Sequence, residues 1–153
     1  MNNGQTHVLL IESDPGDAEL VRLRLVEGDP TVRVSCVNRL ADGLESMAKE
    51  LPSVVLLDLN LPDCYGADPL REVIEKAPGV PVVILLGQDD DALAMKALHQ
   101  GAQDYLLKGD ITSGHLERVM RHAIEQQALI RSQALGSYNV ITPEDRLRRR
   151  RPL

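Results

Sequence analysis

The amino-acid sequence predicts an α/β fold with a doubly wound, five-stranded parallel sheet. Five short apolar runs alternate with segments of helical periodicity, which is typical of repeated βα units. The run Val54–Leu57 is apolar throughout, as expected for a strand that is buried on both faces. Right-handed crossovers and short connections favour the strand order 2-1-3-4-5. The predicted strands are His7–Ile11, Thr31–Val37, Val54–Leu57, Val82–Leu86 and Asp104–Leu107.

The helices between these runs have recognisable starts and stops. Asp14 can cap the first helix, and Pro15 suits its first turn. Acidic residues at 89–91 favour the start of the fourth helix electrostatically. The predicted bounds are 14–28, about 38–51, 68 to before 78, 89 to before 101, and about 113–135.

Chain length favours one domain, because 153 residues suffice for a single hydrophobic core. We assign residues 5–135 to this domain and 136–153 to a linker or disordered basic tail. Apolar positions continue along the last helix at Ile130 and Ala134, so this helix could extend past the sheet or pair with a second copy of the chain.

Composition narrows the possible partners and location. No apolar run approaches the ~20 residues of a membrane span, and Cys36 and Cys64 lie far apart without metal-ligand spacing. We therefore expect a cytoplasmic protein with free thiols. A net charge of −6 and an aromatic content of 2% argue against nucleic-acid binding. The exception is the run Arg146–Arg151, which is either a solvated tail or a contact for an acidic partner or nucleic acid.

Polar residues follow three of the predicted strands at the edge where open α/β sheets bind ligands. Glu12 and Ser13 follow the first strand, Asp58 the third, and Lys108 the fifth, while the fourth ends at Leu86. Carboxylates suit a hard divalent cation, and a lysine opposite them can neutralise phosphate oxygens. The pattern indicates a site for a cation and a phosphoryl group.

The chain resembles the receiver domain of bacterial two-component response regulators. The resemblance covers about Thr6 to Ala128 and lies in three motifs taken in order: VLLIESDP from Val8, LLDLNLP from Leu56, and GAQDYLLKG from Gly101. It implies a flavodoxin-like (βα)5 fold that accepts a phosphoryl group from a histidine kinase or phosphotransfer protein. It also implies a downstream protein partner.

The resemblance implies a role for each matching position. Asp58 would be the phosphoacceptor and Lys108 would pair with the acyl phosphate. Glu12, Asp58 and the backbone carbonyl of Asn60 would bind Mg²⁺. Tyr105 matches the aromatic position that rotates inward when the family is activated.

Two positions depart from the family pattern. Ser13 stands where a second acid is usual, and a hydroxyl is only a weak, neutral ligand for Mg²⁺. Leu86 stands where a Thr or Ser usually bonds the phosphate, and we expect its branched apolar group at the mouth of the pocket. Gly109 replaces a frequent proline and removes no ligand. Phosphorylation or switching is therefore expected to be weakened.

Other functions remain open at this point. The chain could be a pseudo-receiver that acts as a phosphorylation-independent interaction or dimerisation module, as Ser13 and Leu86 suggest. A phosphatase with an aspartate nucleophile would need a general acid two residues after Asp58, where Asn60 stands. Flavin binding is disfavoured by the acidic loop after the first strand. We expect no enzyme activity beyond self-phosphorylation at Asp58.

Overall fold

The computed structural model describes residues 4–65 and 68–133. The main sheet has five parallel strands in the order β2-β1-β3-β6-β7, which is the predicted order once a small separate hairpin is set aside. The strands are β1 (His7–Ile11), β2 (Arg33–Val37), β3 (Val54–Asp58), β4 (Asn60–Leu61), β5 (Cys64–Tyr65), β6 (Val82–Leu86) and β7 (Asp104–Leu107). The predicted fold class is confirmed.

Helices flank the sheet as the sequence predicts. They are α1 (Pro15–Gly28), α2 (Leu40–Lys49), α3 (Asp68–Lys76), α4 (Asp91–His99) and α5 (Ser113–Gln133). Asp14 caps α1 through hydrogen bonds from the amides of Gly16 and Asp17. Asp90 caps α4 through the amide of Leu93, so the acidic run before this helix has a local structural role. Gly101 follows α4 with φ of +118°, a conformation that favours glycine.

Two apolar layers hold the sheet between the helices. One contains the alternating β3 residues Val55 and Leu57, and the other contains Val54 and Leu56. All five residues of β1, β3 and β6 are buried, which explains why their sequences lack polar alternation. This burial fixes the carboxyl ends of the strands, and those ends carry the candidate site.

The hairpin formed by β4 and β5 was not predicted. Its antiparallel strands contain two residues each and are joined at Pro62 and Asp63. Strands this short have no apolar period that could be read from the sequence. The sequence prediction for β2 was also two residues too long at its start, because the backbone amide of Val32 bonds to the carbonyl of Asp29 in a turn.

The hairpin supplies the N-terminal cap of α2. The carboxylate of Asp63 accepts hydrogen bonds from the amides of Leu40 and Ala41, at 2.9 and 3.0 Å. Arg39 holds the capping position of the helix but makes no side-chain cap bond. The amide of Ala41, followed by that of Leu40, keeps the pKa of Asp63 below its ordinary value of 3.8. The hairpin after Asp58 is thus tied to α2.

We expect Asp63→Ala to lower the free energy of unfolding by about 1 kcal/mol at pH 7, the usual effect of losing a helix cap. The lowered pKa means that this contribution is present above pH 3.8 and disappears as pH falls through the folded-state value. Urea unfolding at pH 7 and pH 3 measures both effects. Asp110→Ala, at an exposed position in the turn after β7, is the control and should change little. An equal loss in both variants would contradict the capping role.

The last helix is described to Gln133, close to the predicted end at 135. Gln103, directly before β7, donates a 2.6 Å hydrogen bond to Gln127, which ties α5 to this edge of the sheet. The assigned tail, with its arginine run, lies outside the described residues, as does Ala134. Among the helices described, none has both the length and the apolar character to cross a membrane.

Candidate functional site

The predicted site residues meet at one end of the sheet. Glu12 directly follows β1, Asp58 ends β3, and Lys108 directly follows β7. β3 lies between β1 and β6 in parallel pairing, so the two acids project from neighbouring strands. Glu12 is 2% exposed and Asp58 is 4% exposed. Buried carboxylates of this kind require a counter-ion or a hydrogen-bond donor.

Lys108 is the counter-ion. Its Nζ lies 2.9 Å from Oε1 of Glu12, 3.5 Å from Oδ2 of Asp58 and 3.3 Å from Oδ2 of Asp17. The lysine side chain is only 16% exposed. The pocket therefore holds one ammonium among three carboxylates, and a negative charge remains that a cation could neutralise.

The electrostatics of the pair depend on its burial. Burial, together with nearby Asp58 and against an opposing hydrogen bond from Lys108, raises the pKa of Glu12 to about 7. Burial by itself would lower the pKa of Lys108. The hydrogen bond to Glu12 and the charges of Glu12 and Asp58 outweigh burial, so the lysine pKa is raised. Lys108 thus remains a cation at neutral pH, while Glu12 is poised near its midpoint.

The hydroxyl of Ser13 lies between the carboxylate of Asp58 and the backbone oxygen of Asn60. Its Oγ is 3.4 Å from Oδ2 of Asp58 and 3.2 Å from the backbone oxygen of Asn60. One hydroxyl hydrogen cannot fully satisfy both acceptors, so the serine bridges them weakly. The amide of Asn60 donates a 3.0 Å hydrogen bond to Oδ1 of Asp58, which orients the acceptor carboxylate.

The donor set around Asp58 suits a hard cation but has one acid fewer than such sites often use. Glu12 and Asp58 offer carboxylate oxygens, and Asn60 and Ser13 offer a carbonyl and a hydroxyl. Magnesium accepts such oxygens and completes its octahedron with water. Among the described residues, no group of three His, Cys, Asp or Glu side chains could hold a metal ion. The oxygen donors of Glu12, Asp58, Asn60 and Ser13 are of the chemical kind that Mg²⁺ binds.

Asp17 is a pocket residue that sequence reasoning missed. It lies in the first turn of α1, three residues after the cap Asp14, and its side chain reaches Lys108. Asp14, by contrast, is engaged in capping, as expected. The available signal was the pattern Asp14-Pro15-Gly16-Asp17, in which the second acid faces the strand ends once the first caps the helix.

Leu86 is a buried side chain at the end of β6, and its expected place at the mouth of the pocket stays a prediction. Its side chain is 4% exposed and belongs to the apolar layer that also contains Tyr105. Alternation along β6 explains this, because Val82, Ile84 and Leu86 share one face of the sheet. Tyr105 is itself 6% exposed, so the aromatic ring already lies inward.

Histidine and cysteine side chains are the other reactive groups of the chain. His7 is 5% exposed and pairs through Nε2 with the hydroxyl of Ser35 at 2.9 Å, so it is a packing residue. Cys36 and Cys64 are free thiols, and burial raises the pKa of each. His99 lies on α4, and His115 and His122 lie on α5.

Comparison with known proteins agrees with this geometry. The family model described as "Response regulator receiver domain" matches residues 8–121. The regulatory protein LuxO of Vibrio cholerae serotype O1 is 36% identical over 99 residues, which are 65% of this chain and 21% of LuxO. The KDP operon transcriptional regulatory protein KdpE of Escherichia coli K12 is 32% identical over 123 residues, which are 80% of this chain and 53% of KdpE. The chain thus spans about a fifth of LuxO and half of KdpE.

A solved structure also matches this chain as a receiver domain. A response regulator receiver domain protein from Clostridium thermocellum superposes with a TM-score of 0.72 at 26% identity. The match covers 82% of this chain and 98% of that one. Nearly the whole of the bacterial structure is therefore reproduced here, and the additional residues of this chain fall outside the match.

Proposed function

Because this chain belongs to the response regulator receiver domain family, we propose that Asp58 accepts a phosphoryl group from a histidine kinase or a phosphotransfer protein. The single observation that carries the proposal is the contact of Lys108 with both Glu12 and Asp58 at the strand ends. A buried acid beside a fixed cation is a site where a transferring phosphoryl group can be neutralised.

In the proposed reaction, a carboxylate oxygen of Asp58 attacks the phosphorus of a phosphohistidine. An O–P bond forms, the P–N bond breaks, and the imidazole leaves and takes up a proton. Lys108 neutralises oxygens of the transferring group, and the amide of Asn60 holds Asp58 in position. A Mg²⁺ held by Glu12, Asp58 and the carbonyl of Asn60, with Ser13 as a weak neutral ligand, would supply further charge neutralisation.

After the transfer, the phosphorylated chain would signal to a downstream protein. It would not turn over a separate substrate, so it would be a signalling protein and not an enzyme in the ordinary sense. It would act in the cytoplasm and use α5 for any homodimer. The apolar positions that continue along α5 to Ile130 support a contact along that helix.

A second candidate is the pseudo-receiver, which acts through protein contacts without phosphate. The buried state of Leu86 and Tyr105 favours it, because Leu86 provides no hydroxyl that could report a phosphate and Tyr105 already lies inward. In that case the pocket would no longer accept a phosphoryl group, and partner binding would not depend on Mg²⁺ or a phosphodonor.

A phosphate-mimic titration separates the two candidates. Beryllofluoride with Mg²⁺ is titrated into the protein while amide chemical shifts around Asp58 are monitored, and intact mass is measured after incubation with acetyl phosphate or phosphoramidate. We expect saturable, Mg²⁺-dependent shifts and the gain of one phosphoryl group. If the protein neither binds beryllofluoride nor gains a phosphoryl group with the donor in excess, the result favours the pseudo-receiver.

We expect Ser13→Asp to tighten Mg²⁺ binding about tenfold. The new carboxylate would lie near Asp58 and the Asn60 carbonyl, and Mg²⁺ draws preferentially on carboxylates. Calorimetric titration with MgCl₂ gives the affinity directly. Ser13→Asn is the matched control, since it adds similar bulk without charge and should gain little. Equal affinities in the two variants would show that a missing charge does not weaken the site.

A further inference from the structure

Three carboxylates contact Lys108 in the described part of the chain, and they differ in exposure. The side chains of Glu12 and Asp58 are 0% and 6% exposed, whereas that of Asp17 is 38% exposed. The contact with Asp17 is 3.3 Å, against 2.9 Å for Glu12. Lys108 therefore shares its charge between a buried pair and one carboxylate at the edge of the pocket.

A cation and the lysine compete for the same oxygens. Nζ of Lys108 lies within 3.5 Å of both acids that would hold Mg²⁺. A divalent ion that binds these acids must repel the ammonium at such short range, so the lysine has to move. If it moved into the protein without a partner, an uncompensated charge would be left in a mostly buried place.

We infer that Asp17 is the counter-ion onto which Lys108 transfers when a divalent cation takes Glu12 and Asp58. The inference rests on the proposed function, and it makes Asp17 a positioning residue. Asp17 gains importance on cation binding, because it then holds the ammonium alone instead of sharing it with two other acids. This movement of Lys108 leaves its Nζ beside the pocket, where it can contact an incoming phosphoryl group.

A purely structural role for Asp17 would have a different signature. An acid in the first turn of α1 stabilises the helix N-terminus whatever the state of the pocket. Such a contribution is equal with and without Mg²⁺, so its loss would lower the free energy of unfolding but leave Mg²⁺ affinity unchanged.

The test is a double-mutant cycle on Mg²⁺ affinity, measured by calorimetry without any phosphodonor. We expect Asp17→Asn to weaken Mg²⁺ binding roughly two- to fivefold, in keeping with a partly exposed ion pair. Asp17→Glu should retain most of the affinity. Lys108→Ala should bind Mg²⁺ more tightly than the wild type, since the competing ammonium is gone. Adding Asp17→Asn to Lys108→Ala should then have no further effect.

The control variant also removes one negative charge from α1, but at a residue that does not contact Lys108 in the structure. Glu19→Gln breaks an exposed ion pair with Arg22 on α1 and should leave Mg²⁺ affinity unchanged. An unchanged affinity in Asp17→Asn overturns the inference. An equal weakening in the Lys108→Ala background also overturns it, because Asp17 would then act on the cation itself. Failure of the proposed function looks different: the wild type itself would bind neither Mg²⁺ nor beryllofluoride.

Discussion

Asp58→Asn is expected to abolish acyl phosphate formation and beryllofluoride binding completely. The amide nitrogen replaces a carboxylate oxygen of nearly equal size, so packing at 4% exposure is retained. The amide oxygen can still accept the hydrogen bond from Asn60, which preserves the local backbone. What disappears is the anionic nucleophile and one negative oxygen for a cation. Intact-mass measurement after incubation with acetyl phosphate gives the result directly.

Asp63→Asn is the matched control for this experiment. It changes an aspartate five positions later in the same loop, whose carboxylate caps α2 and does not contact Lys108 in the structure. We expect this variant still to gain one phosphoryl group at saturating Mg²⁺, because the acceptor Asp58 is intact. If Asp58→Asn were phosphorylated as much as the wild type, the acceptor would lie elsewhere, and the proposed function would be contradicted.

Glu12→Gln is expected to stabilise the fold by up to about 3 kcal/mol at pH 8 and to have little effect at pH 5. Burial raises the pKa of Glu12 from 4.5 to about 7, so the folded protein holds a proton that the unfolded chain has released between these values. Stability from this group is fully present below pH 4.5 and is lost as pH rises through about 7. The shift corresponds to about 3 kcal/mol.

Urea unfolding of both proteins at pH 5 and pH 8 measures this effect. The neutral amide of glutamine stays neutral at both values, so only the wild type should lose stability from this site as pH rises. Glu75→Gln, on the exposed side of α3, controls for the general removal of one negative charge. A stabilisation that is the same at both pH values would refute the link between burial and the raised pKa. The same variant should weaken Mg²⁺ binding.

Much of the fold was predictable because the apolar runs are continuous. Val54–Leu57 could hardly be anything but a buried strand, and the Asp58 that ends it was expected at the ligand-binding edge. The hairpin of β4 and β5 escaped prediction because two-residue strands have no period. Its pairing depends on contacts with the rest of the chain and not on local pattern.

The site residues that follow strand ends were predictable, because the strands themselves were. Glu12, Asp58 and Lys108 follow strand ends, so the order of strands brought them together. Asp17 lies on a helix, and its direction depends on how α1 begins and on the reach of Lys108 across the sheet. For Leu86 the position at a strand end was predictable, and alternation along β6 explains why its side chain packs in an apolar layer.

The two bonds from Asp63 to α2 also bear on the entropy of ligand binding. The backbone between Asp58 and Asp63 is fastened at one end by the last residue of a buried strand and at the other by two helix amides. The Asn60 carbonyl lies between these fixed points, so its freedom is lost when the chain folds and not when a cation arrives. Loosening α2 should therefore weaken the cation site, although α2 supplies none of its proposed ligands.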